Sequence, residues 1–420
     1  MDLVLCFTAQ RYNSVMNTSF ASVNSIPSAS MPSTATLDWL RRLVGFNTVS
    51  HESNLGLIET VRDYLLSQGV KSRLTFDADK RKANLFATLG DERAGGIVLS
   101  GHTDVVPVIG QAWDTDPFVL TEKDGRLYGR GSADMKGFIA ASLAQVPYFL
   151  NANLAAPIHL ALSYDEEVGC FGIKELLADL RDAGIAPTAC IVGEPTGMQP
   201  IVAHKGTHRF KCCVRGREAH SALPNLGVNA IEYAAELVLY IRAMGEHFAQ
   251  TETRDFGFPV PYTTLQTTIM HGGTGQNIVP KDCEFLVDVR TLPTQSFEAI
   301  YERVKAQGKL LDAQMKAKAI EAGVDFEFIC SIPSFAVDEQ HQLVQMAKRL
   351  ARSDRFERVS FGTEAGLFSA AGIPTVVIGP GAIDDAHRPN ESVAIEQLAQ
   401  AELFLQRLVS NQQITAQHSA

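Results

Sequence analysis

Apolar and polar positions along this chain follow two rhythms. TLDWLRRLVGFNTVS places Leu37, Leu40, Leu43 and Val44 on one helical face, with Thr36 positioned to cap it. LGLIETVRDYLLSQG repeats the spacing with Leu57, Ile58, Val61 and Leu65 and stops at Gly69. Short apolar runs follow: NLFATLG, GIVLSGHTD, IHLALSYDEE, ACIVGEP and IVAHKG, with helical segments over 137–150 and 172–183 among them. Apolar runs alternating with helices predict an α/β layer on a mainly parallel sheet.

From about residue 209 the rhythm changes. RFKCCVRGREAHS alternates like a half-exposed strand, and GVNAIEYAAELVLYIRAM is helical. YTTLQTTIMHGG, CEFLVDVRTLP, a helix over 296–320 and VDFEFICSI complete the order of a small α+β unit with a one-sided antiparallel sheet. The α/β pattern then resumes with QHQLVQMAKRLAR, RVSFGTEAGLFSAAG, TVVIGPG and the closing helix AIEQLAQAELFLQRLVS. The expected organisation is one α/β domain in two segments, 33–208 and 333–420, interrupted by a lid-like unit over 209–332. Residues 1–32 are rich in Ser, Thr, Asn and Ala and are expected to be a disordered extension, or an over-extended start with translation from Met16 or Met31.

Composition narrows the partners. With 37 Lys and Arg against 47 Asp and Glu, the net charge of −10 disfavours nucleic acid and anionic membranes. No apolar stretch reaches the ~18–20 residues that span a bilayer. The start has no basic region before its apolar patch, against a secretory signal. The seven cysteines (6, 170, 190, 212, 213, 283 and 330) contain no C-x-x-C pair, which suggests reduced thiols and a cytoplasmic setting.

The candidate chemistry lies where the apolar runs stop. GIVLS ends in Gly101-His102-Thr103-Asp104, IHLALSY in Asp165-Glu166-Glu167, and ACIVG in Glu194. TVVIGPG is followed by His387, and the loop GRGSADMKG carries Asp134. Ligands of open parallel sheets bind at the carboxyl edge of the strands, so these places can converge. Converging acids repel unless a cation neutralises them. Imidazoles among carboxylates suit zinc, cobalt or manganese rather than calcium.

SGHTDVVP, GRGSADMKG, DEEVG, GEPT, REAHSALPNLGVNAIE and GTEAGLFSAAGIPTVVIGPGAIDDAHRPNE resemble the M20 family of co-catalytic zinc peptidases and deacylases, over residues 33–412. The resemblance implies two Zn²⁺ ions, with Co²⁺ a possible substitute. Asp134 would bridge them, His102 and Glu194 would complete one site, and Glu167 and His387 the other. Asp104 would stand behind His102 and fix its tautomer, and the peptide after Asp134 would be cis. Glu166 and Glu167 point in different directions on an extended backbone, so Glu167 can bind metal while Glu166 serves as general base.

In the resembled family a histidine matching His220 reaches the partner subunit's site to stabilise the oxyanion, which implies a homodimer through the lid. Asn277 and Arg290 match positions lining the substrate site, and Arg290 suits a carboxylate. Glu364 in GTEAG could select a cationic side chain, and Gly362, Gly379 and Gly381 could allow close backbone approach around substrate. GGTGQN lacks the Gly-Lys-Ser/Thr of a phosphate loop.

The GTEA…GPG…AH segment points to the branch that removes the acetyl group of N2-acetylornithine. The alternatives are another activity of the family (N-acyl-amino-acid acylase, dipeptidase or succinyl-diaminopimelate desuccinylase) or a non-catalytic metal-binding module. A Ser hydrolase lacks its G-x-S-x-G, and Cys170 as a nucleophile would survive a chelator.

Overall fold

The computed structural model describes residues 31–91 and 95–412. Of the expected N-terminal extension, residues 1–30 lie outside the described residues, as does Cys6. The chain divides into two units. Among the described residues, one comprises those up to Val202 with Val337–Glu357 and those from Thr363, and the other Ala203–Ala336 with Arg358–Gly362.

The first unit is built on a sheet whose strands lie in the order Ser72–Phe76, Ala83–Leu89, Ile158–Ser163, Ile97–His102, Ala189–Val192, Thr375–Val377 and Ile201–His204. The middle four are mutually parallel, and the flanking pairings are antiparallel. Every residue of Ile97–His102 and of Ile158–Ser163 is buried. Both faces of these strands are covered, which is why their sequences are apolar runs rather than alternations.

The helices Thr34–Val44, Leu55–Ser67, Lys136–Ala144 and Ile395–Gln412 supply the cover. Leu40, Leu43, Leu57, Ile58, Phe138, Ile139, Leu398 and Phe404 join strand residues in one core. The first helix is capped by Ser33, whose hydroxyl accepts from the Thr36 N–H. Thr36 is itself buried with its hydroxyl on Glu402, so the cap lies three residues before the expected one.

The second unit has a four-stranded antiparallel sheet, ordered Thr264–Gly272, Asp282–Thr291, Gly206–Arg215 and Gly323–Ile332. Burial along Asp282–Thr291 alternates, as one covered face requires. The helices Ala230–Thr251 and Phe297–Lys318 bring Leu237, Ile241, Val304 and Leu311 against Phe210, Cys212, Phe285 and Val287. This unit starts a few residues before the expected 209, because its central strand begins at Gly206. Among the described residues no helix is long and apolar enough to cross a membrane.

His208 sits in this core, stacked on Phe297 with ring centroids 4.1 Å apart and bonded to Ser331 and Thr291 hydroxyls. Burial lowers its pKa to about 4. The unfolded chain therefore takes up a proton below pH 6.5 that the folded unit refuses until about pH 4. Stability is fully present above pH 6.5 and falls across that window, by about 3 kcal/mol for this one group. Denaturant titrations at pH 7.5 and pH 4 should show His208→Gln losing that much less on acidification than the parent. Equal losses would contradict the assignment.

Candidate active site

The parallel strands deliver their carboxyl ends to one edge of the first unit's sheet. His102 ends its strand with Nε2 at 3.0 Å from Asp134 Oδ1 and 3.9 Å from Glu194 Oε1. Its Nδ1 lies 2.9 Å from the Asp104 backbone carbonyl, which can only accept. Nδ1 therefore carries the hydrogen and Nε2 is left to face the acids.

The Asp104 carboxylate has a different role from the expected one. One oxygen is 3.6 Å from His102 Nδ1, while the two oxygens accept from the Ser50 hydroxyl at 2.7 Å and the backbone N–H groups of Glu166 at 3.0 Å and Glu167 at 3.3 Å. The tautomer of His102 is thus set by the main chain, and the carboxylate anchors the Glu166–Glu167 turn. Ser50 was not legible as a site residue. Its signal would have been a hydroxyl ending the NTVS run after the first helix.

Asp134 lies between two imidazoles, with Oδ2 at 3.3 Å from His387 Nε2, and its peptide bond to Met135 is cis. His387 Nε2 is also 3.1 Å from Glu167 Oε2. The side chains of His102, Asp134, Glu167 and Glu194 are at most 7% exposed, whereas His387 is 53% exposed. Solvent therefore reaches the cluster past His387.

Charge is concentrated here. Burial opposes a charge on His102, but Asp134 and Glu194 outweigh it and raise its pKa well above the imidazole range. Burial likewise opposes ionisation of Asp134, yet the His102 and His387 imidazoles hold its carboxyl below the usual range. Burial and the Asp134 charge lift Glu167 to about 7. Hydrogen bonds to Asp134 and Glu167 raise His387 to about 10.

The donors suit divalent ions. Ligand atoms of His102, Asp134 and Glu167 lie within 4.8 Å of one another, as do those of His102, Glu166 and Glu194. Glu194 Oε1 is buried without a hydrogen-bond partner. An unpartnered buried carboxylate oxygen costs several kcal/mol unless a cation faces it.

Glu364 is not placed to select a substrate side chain. It is fully buried, and its carboxylate accepts from the hydroxyls of Ser100 at 3.0 Å and of Ser163. It ties together the ends of the two strands that present His102 and Glu166. Gly379 is likewise occupied by backbone: a Cβ there would lie 2.1 Å from the Gly193 carbonyl oxygen. Gly381 has φ +97° and faces Ala133, while Gly362 belongs to the second unit, where a Cβ would meet Thr207. The close approaches are between segments of the chain.

The remaining predicted residues lie on the second unit. His220 is exposed and pairs with Ile278 in a short antiparallel ladder, its Nδ1 accepting from the Ala222 N–H. The Asn277 carbonyl accepts from the Ser221 N–H at 2.9 Å, so His220 and Asn277 are brought together. Arg290 is half-buried. Its Nε and Nη2 bond Asp288, at 2.7 and 3.2 Å, and its Nη1 bonds Thr207 at 2.7 Å.

Residues 98–411 match the profile of peptidase family M20/M25/M40. The chain belongs to this family. It is 36% identical over 389 residues to an acetylornithine deacetylase of Myxococcus xanthus, covering 89% of this chain and 96% of that one. It is 33% identical over 360 residues to an acetylornithine deacetylase of Pasteurella multocida, covering 85% and 91%. Among solved structures, an M20 family metallo-carboxypeptidase from Sulfolobus solfataricus superposes with a TM-score of 0.69 at 19% identity, covering 90% and 99%. The Bacillus subtilis YXEP protein, described as a dinuclear metal-binding peptidase of the M20 family, gives 0.61 at 16% identity, covering 90% and 97%.

Proposed function

We propose that this M20 enzyme is a two-metal amide hydrolase that removes the acetyl group of N2-acetylornithine, giving ornithine and acetate. The carrying observation is the cluster of two imidazoles and four carboxylates at one sheet edge, with Glu194 Oε1 buried and unpartnered. The acetylornithine deacetylases among its relatives support the choice of substrate.

His102 and Glu194 would hold one ion, Glu167 and His387 the other, with Asp134 shared between them. Zinc fits the donors, and cobalt is the natural substitute. Bound there, such ions acidify a water toward neutral pH and polarise the amide oxygen. Glu166 takes a proton from the attacking water as the new C–O bond forms and the carbonyl becomes an oxyanion, then passes that proton to the leaving nitrogen as the C–N bond breaks. Asp104 keeps Glu166 and Glu167 in place through their N–H groups.

The second unit acts as lid and dimerisation unit in this reading. His220 donates to the oxyanion in the partner's site, and Asn277, its neighbour, lines the substrate. Arg290 meets the substrate carboxylate. The described thiols Cys170, Cys190, Cys212, Cys213 and Cys283 accord with a reducing, cytoplasmic compartment.

The direct test is turnover of N2-acetylornithine, N-acetylmethionine and succinyl-diaminopimelate with Zn²⁺ or Co²⁺ added. The highest kcat/KM is expected on N2-acetylornithine, and a clear preference for either rival would displace the assignment. His220→Ala should lower kcat about a hundredfold with KM little changed, as loss of one oxyanion donor does. Steady-state kinetics on the purified variant would check it, and an unaltered kcat would remove His220 from the mechanism.

A further inference from the structure

The loops carrying Asp134 and His387 are far apart in sequence, yet their ligand atoms must meet to within an ångström or so for tight metal binding. A cross-tie with a buried ion pair at its centre joins them. Glu391 Oε1 accepts from the N–H groups of both Ala133 and Asp134, each at 3.0 Å. Its Oε2 accepts from Arg130 Nη1 at 2.7 Å, and both side chains are 1% exposed. Arg130 reaches onward, donating to the Arg388 carbonyl at 3.3 Å and to Gln111 Oε1. Gln111 Nε2 in turn donates to the His387 carbonyl at 2.9 Å. Trp113 lies under the guanidinium, its ring centroid 5.1 Å from the Arg130 central carbon, and also bonds Gln111.

A buried ion pair adds little net stability, because desolvation offsets its attraction. What it supplies is direction. Glu391 Oε1 ends on the main chain of the Asp134 loop, and Arg130 Nη1 on that of the His387 loop. Gln111 is the one side chain in the cross-tie that holds His387 by its own carbonyl.

We infer that Gln111, Arg130 and Glu391 form a positioning unit that sets the separation of His387 and Asp134, and thereby the affinity of the His387–Glu167 half of the centre for its ion. None of the three is among the residues assigned above to the metals or to the substrate. The inference rests on the two-metal reading above. Partners behind metal ligands typically change affinity ten- to a hundredfold.

The test is a Zn²⁺ titration of the metal-stripped full chain against a fluorescent chelator, with thermal unfolding of the metal-free form alongside. The parent should take up two equivalents. Gln111→Ala should weaken one of them tenfold or more and leave the other unchanged. Gln111→Glu keeps the acceptor for Arg130 but not the donor to His387, so it should weaken the same equivalent. Were Gln111 only packing or a partner for Arg130, Gln111→Glu would restore parental binding. Glu391→Gln should affect the same equivalent, and Gln111→Ala gives the answer if that buried variant fails to fold. Two parental equivalents in Gln111→Ala, or equal weakening of both, would overturn the inference while leaving the two-metal reading intact. A parent that binds fewer than two equivalents would overturn both.

Discussion

Glu166→Gln is expected to retain both metal ions and to lose about a thousandfold in kcat, with KM little changed. The amide is nearly isosteric with the carboxylate but cannot accept a proton from water. Its backbone anchor on Asp104 survives the substitution, because that bond uses the Glu166 N–H. So does the weak donor behind it, Cys170 Sγ at 3.4 Å from Glu166 Oε1. Burial raises the Glu166 pKa well above the carboxylate range, the His102 charge working against the rise and Glu167 adding to it. A raised pKa makes the carboxylate a stronger acceptor for the proton of water. Metal analysis together with kcat decides the matter. Near-parental turnover with full metal would remove Glu166 as the base, and loss of metal would recast it as a ligand.

Chelation should have the other large effect. EDTA is expected to abolish turnover and Zn²⁺ or Co²⁺ to restore it, whereas a thiol nucleophile such as Cys170 would survive. Ions that bind only the folded chain stabilise it by about 4 kcal/mol per site at a thousandfold excess over Kd. The melting temperature should therefore fall on stripping. The sign of the pH dependence follows from the bare site. Without metal, the hydrogen bonds to Asp134 and Glu167 keep His387 protonated up to about pH 10, and His102 is raised as well. Both imidazoles must shed a proton to become ligands. Metal affinity should thus rise with pH, and calorimetry in buffers of different ionisation enthalpy should register proton release near pH 7. Heats independent of buffer would contradict this picture.

Much of the fold and of the candidate metal centre could be read from the chain, for a physical reason. A strand covered on both faces has no use for His102, Glu166 or Glu194 at its tip, so those residues stand out against the apolar runs before them. The parts that escaped depend on distance rather than pattern. Nothing near Glu364 reveals that two serines on separate strands enclose its carboxylate, and in sequence it reads as an acid available to a cationic side chain. Whether Asp104 serves its histidine through the side chain or the carbonyl is a matter of a single torsion. Arg130 and Glu391 lie inside the strings that carry Asp134 and His387, but their partnership is a long-range contact that no local periodicity encodes. The first helix shows a smaller version of the same limit, since Ser33 and Thr36 are both competent caps and Glu402, far along the chain, decides between them.

The strand Thr375–Val377 lies between Ala189–Val192 and Ile201–His204, both made much earlier during synthesis. On the ribosome the growing polypeptide therefore carries an open slot in its principal sheet while the whole inserted unit is translated. A product truncated before residue 375 leaves the inner edge of Ala189–Val192 bare, an invitation to pair with another nascent chain. His387 follows that strand in the chain, so the proposed metal centre is complete only after the sheet has closed.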